Sequence, residues 1–347
     1  MRISARLALL ACASLVALAV ANAAWAAYTP SLIAAPVSHA LGAKNTVFLG
    51  VAQARTDDPT AKIDIFVPAG YQENYSQAVG STIGDVSAVL ILRGAGDAEV
   101  TVTGSVRVDN PADPKYVSPA QNRCAPGLHT NVWVLNVSIA GTPLQVPIYV
   151  DDVTTVPGVS ARLQLCLAGP VGTPSNAQLL SALFAVRGVF TNPSSRNVYT
   201  WSALFTPYFP GTPQPNAAGT VEGRALVPIP IRIALSARRK GKVVTLSGSI
   251  TLPGGLLPSR LELWAGPSAR RLRRVARVAV SGRGRFSARR RITKTTVFGL
   301  RVELVGAPIP LGTGCAGVSR APRGCVSATM SIDARSNLRT VRIRKRR

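Results

Sequence analysis

The stretch from Arg270 to Arg291 holds ten arginine residues and no acidic residue, which makes it well suited to binding anions. The planar guanidinium group donates in bidentate fashion to phosphate, sulfate or carboxylate. The sequence predicts two strands around the turn Ser281–Gly284, with Phe286 and Ala288 turned inward. We therefore predict one sheet face crowded with guanidinium groups, formed by Arg273, Arg274, Arg277, Arg283, Arg285, Arg289 and Arg291.

The charge of the chain is concentrated in its C-terminal third. Residues 28–225 carry 11 basic and 12 acidic residues, whereas residues 226–347 carry 27 basic residues against Glu262, Glu303 and Asp333. Such asymmetry points to a polyanionic or membrane-surface partner. A coding bias toward arginine is the alternative explanation, because Arg outnumbers Lys 33 to 7. That bias explains the choice of Arg over Lys, but not the scarcity of acids.

The chain offers little for histidine-dependent or thiol-dependent catalysis. Its two histidines are His39 and His129, and a Ser-His-Asp triad needs a histidine that a carboxylate orients. Neither a G-x-S-x-G nor an H-E-x-x-H sequence occurs. We predict that both histidines lie on loops or at the surface without a catalytic role.

Paired carboxylates could in principle serve a glycosidase. The candidates stand at turns or strand starts, where Asp and Pro are common because of local hydrogen bonding and the fixed φ of proline. They are Asp97 with Glu99, Asp109 with Asp113, and Asp151 with Asp152. We predict no catalytic residues, no metal and no cofactor, and a carbohydrate-active enzyme remains the third-ranked function.

The N-terminus has the pattern of a secretory signal peptide over residues 1–26. Arg2 and Arg6 precede the apolar run Leu7–Val20, and Ala24-Trp25-Ala26 supplies a cleavage site. An uncleaved N-terminal anchor is the alternative. No later stretch is long and apolar enough to cross a bilayer, so we predict a secreted or envelope-associated protein.

Export changes the interpretation of the cysteines. Cleavage would remove Cys12 and leave four cysteines, an even number that favours disulfides outside the cell. Of three possible connectivities, we predict Cys124–Cys166 and Cys315–Cys325, because each pair falls within one predicted domain. The bridge from Cys166 would hold the preceding loop across the outer side of its strand.

Strand patterns dominate the rest of the chain. In residues 132–139, Trp133 and Leu135 share one face, and Leu163 and Leu165 do so in residues 161–167. One short helix is predicted over Asn176–Leu183. The predicted fold class is all-β: a β-sandwich region at 28–228, as one large or two small domains, and a small sandwich at 230–347. Prolines in Val227–Pro230 mark the boundary.

Three strings in the C-terminal region, Val244–Ile250, Gly284–Ser287 and Thr295–Phe298, resemble immunoglobulin-like or fibronectin-III-like repeats of secreted bacterial surface proteins. The resemblance covers about residues 230–335. It implies an antiparallel Ig-like sandwich that serves as a spacer or binding module and has no catalytic residues. Val100–Val106 matches Val244–Ile250 in residue type, either because both form the same strand in two copies of one sandwich or by coincidence.

These observations predict a secreted, non-catalytic module whose arginine-rich C-terminal sheet face binds an anionic polymer. The candidate partners are an anionic cell-wall polymer, an acidic polysaccharide or extracellular DNA. A structural spacer or adhesion-type surface protein without such a ligand is the alternative. The oligomeric state is left open.

Overall fold

The computed structural model describes residues 28–342, except 140, 154, 170–176, 256–257, 259 and 303–335. These residues form 19 strands, one short α-helix and three 3₁₀ turns, so the all-β prediction is confirmed. The predicted signal peptide and the predicted bridge Cys315–Cys325 lie outside the described residues. Within them, no helix is both long and apolar enough to cross a membrane.

The first 12 strands form one antiparallel sheet rather than the two facing sheets of a sandwich. Its strands are β1 (Ser31–Pro36), β2 (Lys44–Ala52), β3 (Thr60–Pro68), β4 (Gln72–Glu73), β5 (Thr82–Leu92), β6 (Ala98–Asp109), β7 (Asn131–Ile139), β8 (Thr142–Asp152), β9 (Val159–Cys166), β10 (Ala177–Thr191), β11 (Asn197–Pro207) and β12 (Val221–Ile229). They pair in the order β1-β2-β10-β5-β6-β7-β8-β9-β3-β11-β12, and β4 pairs with β10.

The large sheet curls until its two end strands lie side by side. A Cβ at Gly223 of β12 would lie 3.4 Å from the backbone nitrogen of Leu32 in β1. Just after β1, the His39 Nδ1 lies 2.7 Å from the Pro228 carbonyl oxygen of β12. The nearly closed sheet encloses one apolar core in which Trp133, Phe190 and Trp201 are fully buried.

The strand patterns predicted for β7 and β9 are confirmed. Trp133 and Leu135 face the enclosed core, as do Leu163 and Leu165. The alternate residues of β7 face outward and carry a second, small apolar cluster with Tyr116 and Tyr149. Tyr116 belongs to α1 (Pro114–Val117).

The predicted bridge between Cys124 and Cys166 is present, with a Cα–Cα distance of 6.2 Å. It ties the loop that carries α1 to the outer side of β9. As the alternation of residues 161–167 predicted, Cys166 faces away from the enclosed core and contacts the small outer cluster instead. The bridge therefore holds a loop over apolar residues that would otherwise face solvent.

The predicted helix over Asn176–Leu183 is wrong, because the described part of this segment belongs to β10, the long strand between β2 and β5. Both faces of β10 are buried: Phe184 packs inside the sheet, and Leu180 packs outside it with Val89 and Ile91. A strand buried on both sides reads as a continuous apolar run, which resembles a helix segment in sequence.

The C-terminal seven strands form two antiparallel sheets around a shared core. The strands are β13 (Arg232–Lys240), β14 (Val243–Thr251), β15 (Arg260–Gly266), β16 (Arg273–Ala279), β17 (Arg285–Arg291), β18 (Thr296–Val302) and β19 (Arg339–Val341). One sheet has the order β13-β14-β17 and the other β16-β15-β18-β19. This small sandwich is the architecture predicted for the region. The last strand of the large sheet ends at Ile229, and the first strand of the sandwich begins at Arg232. The 3₁₀ turns are Arg93–Ala95, Ala217–Gly219 and Pro253–Gly255.

The small sandwich packs against the outside of the large sheet, next to the line along which the end strands β1 and β12 meet. Leu32 and Ala34 of β1 point into the enclosed core, whereas Ala35 joins the sandwich core and Ile33 and Phe48 pack against it. Both faces of the end strand β1 are therefore covered.

The two similar strings Val100–Val106 and Val244–Ile250 do not form the same strand in two copies of one sandwich. The first lies in β6 of the large sheet and the second in β14 of the small sandwich. They share one local feature, a glycine pressed against the neighbouring strand. A Cβ added to Gly104 would lie 1.8 Å from the backbone oxygen of Asn136, and a Cβ added to Gly248 would lie 1.9 Å from the backbone oxygen of Ala234.

Candidate anion-binding face

The outer side of the sheet β13-β14-β17 carries rows of cations. In one row Arg238, Thr245 and Arg289 are register partners, and in the next row Lys240, Val243 and Arg291 are partners. Residues paired across neighbouring antiparallel strands point to the same side of a sheet. The inward residues Leu235, Val244, Leu246 and Phe286 are buried in the sandwich core, so these rows face outward.

Two further cations extend this surface toward the other end of the sheet. Arg285 is the register partner of Ser249, which pairs with Ala234, and Arg232 pairs with Thr251. All six cations are exposed. We call this surface the basic face and define it by Arg232, Arg238, Lys240, Arg285, Arg289 and Arg291.

The spacing of the basic face follows from sheet geometry. Neighbouring strands lie about 4.8 Å apart and every second residue of a strand lies about 6.8 Å further on. The cations of β13 and β17 therefore form two columns about 10 Å apart, with β14 between them. An extended chain lying along β14 could place anionic groups against both columns.

Small hydroxyl residues occupy much of the surface between the two columns. Ser236, Ser247 and Ser287 form a row of register partners, and Thr245 and Ser249 lie on either side of Ser247 along β14. A hydroxyl group both donates and accepts hydrogen bonds. The basic face thus combines cations with groups that suit sugar hydroxyls, and its residues from these three strands include no aromatic side chain.

The basic face carries no compensating charge within the part of the chain that the structure describes. The strands β13, β14 and β17 contain no Asp or Glu. None of the ion pairs between described residues includes any of its six cations. Glu303 and Asp333 lie outside the described residues.

The prediction of one basic hairpin is wrong. β16 and β17 follow each other in the chain, but β16 pairs with β15 in one sheet and β17 pairs with β14 in the other. Of the seven predicted arginines, Arg285, Arg289 and Arg291 lie together on the basic face. Arg273, Arg274 and Arg277 lie on the other sheet, and Arg283 lies in the turn between them. Each strand buries one apolar side, and a crossover lets both strands cover the same core from opposite sides.

The other sheet compensates part of its positive charge. Arg274 Nη1 lies 2.9 Å from Glu262 Oε1, and Trp264 Nε1 donates to Glu262 Oε2 at 3.0 Å. The Arg301 guanidinium stacks over the Trp264 ring, 4.0 Å from its centroid, in a cation–π contact. Glu262 is thus already engaged by two neighbours, which distinguishes this surface from the basic face.

Sequence reasoning missed half of the basic face. Arg232, Arg238 and Lys240 lie on β13, about 50 residues before β17 in the chain. The signal was present in the alternation of β13, where Ile233 and Leu235 point inward and the cations fall between them. Only the pairing of β13 and β17 with the same strand shows that these cations join Arg289 and Arg291.

Two of the three carboxylate pairs considered for catalysis are held by cations, and in the third pair Asp151 contacts Arg162. Arg55 contacts Asp97 at 3.4 Å and Glu99 at 3.2 Å. Lys115 contacts Asp109 at 2.9 Å and Asp113 at 3.2 Å.

Partial burial opposes ionisation of Asp109. Hydrogen bonds from Lys115, Tyr116 and the Asn110 backbone outweigh it and lower the pKa of this carboxyl. A catalytic acid needs a raised pKa.

His129 is oriented by a carboxylate, which the sequence did not predict. Its Nδ1 lies 2.9 Å from Asp151 Oδ1, and Arg162 contacts the other oxygen of Asp151 at 2.8 Å. His129 Nε2 lies 2.9 Å from the Ala125 carbonyl oxygen. Both ring nitrogens are thus engaged, one by a carboxylate and the other by a backbone carbonyl oxygen. His39 lies in the loop after β1 and is buried there, and burial lowers its pKa despite the contact with the Pro228 oxygen.

A half-buried acid that sequence reasoning did not single out, Glu73 of β4, lies beside the start of β9. Ser160 Oγ donates to Glu73 Oε1 at 2.5 Å, and burial raises the pKa of Glu73. Among the described residues, however, no group of three or more His, Cys, Asp or Glu side chains is arranged to hold a metal ion.

Fold and site together define an all-β protein with a large, nearly closed sheet and a small sandwich that carries the basic face. The sequence matches no protein-family model and no curated protein. Its function therefore has to be inferred from the residues themselves.

Proposed function

We propose that this protein is a secreted, non-catalytic module that binds an acidic polysaccharide through the basic face. The observation that carries the proposal is the pair of cation columns on β13 and β17, which flank the hydroxyl residues of β14. Guanidinium groups bind carboxylate and sulfate in bidentate fashion. The serine and threonine hydroxyls between them suit the neutral groups of a sugar chain.

An acidic polysaccharide fits this surface better than extracellular DNA in single-stranded form. Binding of single-stranded nucleic acid draws on aromatic side chains against which bases stack. Phe286 is the aromatic residue of these three strands, and it is buried in the sandwich core. The serine hydroxyls of the basic face cannot replace aromatic rings as stacking partners for bases.

Affinity measurements with defined polymers test the proposal. We expect the protein to bind heparin and polygalacturonate, and to retain measurable binding at about 0.15 M salt, where the Debye length is about 8 Å. The test variant replaces Arg238, Arg289 and Arg291 with Gln. The matched control replaces Arg270, Arg271 and Arg273 with Gln, which removes the same charge from exposed positions away from the basic face.

The two variants separate a binding face from general attraction by net charge. A specific face predicts that the test variant loses at least about tenfold in affinity while the control stays near the native value. Equal losses in both variants, or native binding that vanishes at about 0.15 M salt, would overturn the proposal. A spacer predicts no retention on these polymers beyond that of a charge-matched control protein, and tighter binding to single-stranded DNA would favour the nucleic-acid alternative.

A further inference from the structure

The large sheet encloses a cavity of about 440 Å³ at one end of its interior. The cavity begins beside Leu135 and Phe184 and extends past Val137 and Ile139 toward the turn between β7 and β8. Its volume falls within the range of about 300–1,000 Å³ that is typical of sites for small-molecule ligands.

The cavity reaches the surface beside Thr142, Pro143 and Ala168, which line it and are exposed. Further along its wall, Ile65, Leu135 and Phe184 are buried residues of the enclosed core. The cavity is therefore a pocket that runs from buried core residues to an exposed mouth.

The wall of the pocket is almost wholly aliphatic. Of its 25 lining residues, only Thr60, Thr142 and Gln178 have polar side chains. Gln178 donates to the Asp57 carbonyl oxygen at 3.0 Å and accepts from Arg93 at 2.8 Å. The amide of Gln178 is thus already satisfied by the protein.

Sheet geometry accounts for the space. A sheet of about eight strands closed on itself leaves an interior that side chains just fill, or that holds one small ligand. Here the hydrogen-bonded path contains 11 strands. Small residues such as Ala88 and Ala182 face the pocket and leave it wide. Water gains little in an aliphatic pocket because it finds few hydrogen-bond partners.

We propose that this pocket binds the aliphatic chain of a single-chain amphiphile, with the polar head group at the mouth. The wall would contact methylene groups along the chain, and the head would remain in solvent near Thr142. Because the polar groups of the wall are already engaged or lie at the mouth, recognition depends on the chain rather than on the head. A long-chain acid and an uncharged long-chain alcohol should therefore both bind.

Fluorescence titration of the full chain with cis-parinaric acid, a fluorescent long-chain fatty acid, tests the proposal. We expect saturable binding of one molecule per chain and displacement by hexadecanol, which carries no charge. Val137→Trp should fill the pocket and weaken binding at least about tenfold. The matched control is Ser138→Trp, the adjacent residue of β7, which is exposed and faces outward. It should bind as the native protein does.

Circular dichroism and thermal unfolding of each variant show whether it is folded. If Val137→Trp does not fold, Ala182→Leu narrows the same pocket with a smaller change and should also weaken binding. Failure of the native protein to bind parinaric acid, failure of hexadecanol to displace it, or equal binding by folded Val137→Trp and Ser138→Trp would overturn the proposal.

A separate control distinguishes the pocket from the basic face, which could attract the carboxylate of the probe. The variant with Gln at Arg238, Arg289 and Arg291 should bind parinaric acid with native affinity. Loss of probe binding in this variant would place the site on the basic face and overturn the pocket proposal. Because the polymer assay uses a different surface, either proposal can fail while the other stands.

Discussion

Arg238 of β13 and Arg289 of β17 lie on either side of Thr245 in one row across the three-stranded sheet. The two arginines are 51 positions apart in the sequence, and their shared neighbour brings them to one surface. Like charges in one row repel each other, so an anionic ligand bound between them would relieve that repulsion. This relationship leads to the first prediction.

A carboxylate introduced at Thr245 should reduce the binding of anionic ligands to the basic face. In Thr245→Glu, the new side chain would form ion pairs with Arg238 and Arg289 and compete with the ligand. We expect affinity for heparin to fall about tenfold, with little change in thermal stability because surface ion pairs contribute about 0–1 kcal/mol. Thr245→Gln is the neutral control and should bind nearly as the native protein does. Equal affinity of the two variants would contradict the prediction.

Removal of the Cys124–Cys166 bridge should destabilise the large sheet. The bridge spans 42 positions of the sequence, and disulfides that close loops of this order contribute about 2–4 kcal/mol to the free energy of unfolding. Replacement of both cysteines with serine should therefore lower the free energy of unfolding by about that amount in urea titrations. An unchanged denaturation midpoint would show that the loop around α1 is held by its apolar contacts alone.

Acidification should weaken the fold through His39. Burial lowers the pKa of His39 below its ordinary value of about 6.5, so the unfolded chain takes up a proton that the folded chain resists. Stability from this residue is thus present above the ordinary pKa and is lost as the pH falls toward the folded value. His39→Gln keeps a donor for the Pro228 oxygen but does not titrate. Between about pH 7 and pH 5, the melting temperature should therefore decrease less for this variant than for the native protein.

Gly248 should tolerate no side chain. A Cβ there would lie 1.9 Å from the backbone oxygen of Ala234 and 2.7 Å from Phe286 Cζ. Gly248→Ala therefore forces β14 away from its neighbour β13. We expect a loss of at least about 2 kcal/mol in the free energy of unfolding of this region, measured by denaturant titration. Ser247→Ala, one residue away and exposed, should change it by less than about 0.5 kcal/mol. Similar stabilities for both variants would contradict the packing described for Gly248.

The sequence alone determined the features that depend on neighbouring residues. Alternation assigned Trp133 and Leu135 to one face of β7 and placed Cys166 on the outer side of β9. The all-β class followed from the same alternation. These features were predictable because the side-chain period of a strand is set by the backbone, whatever strand lies beside it. The bridge from Cys166 to Cys124 was predicted on a different ground, because both cysteines fall within one predicted domain.

Tertiary structure alone decided which strands share a sheet. The sequence favoured a hairpin of β16 and β17 because they are adjacent in the chain, whereas the core between the two sheets places them on opposite sides. The same long-range pairing brings Arg232 and Arg238 to Arg289, and it buries both faces of β10, which the apolar run at Leu179–Leu183 made resemble a helix. Pairing between distant strands depends on the apolar area that the whole fold buries, and no local pattern records that quantity.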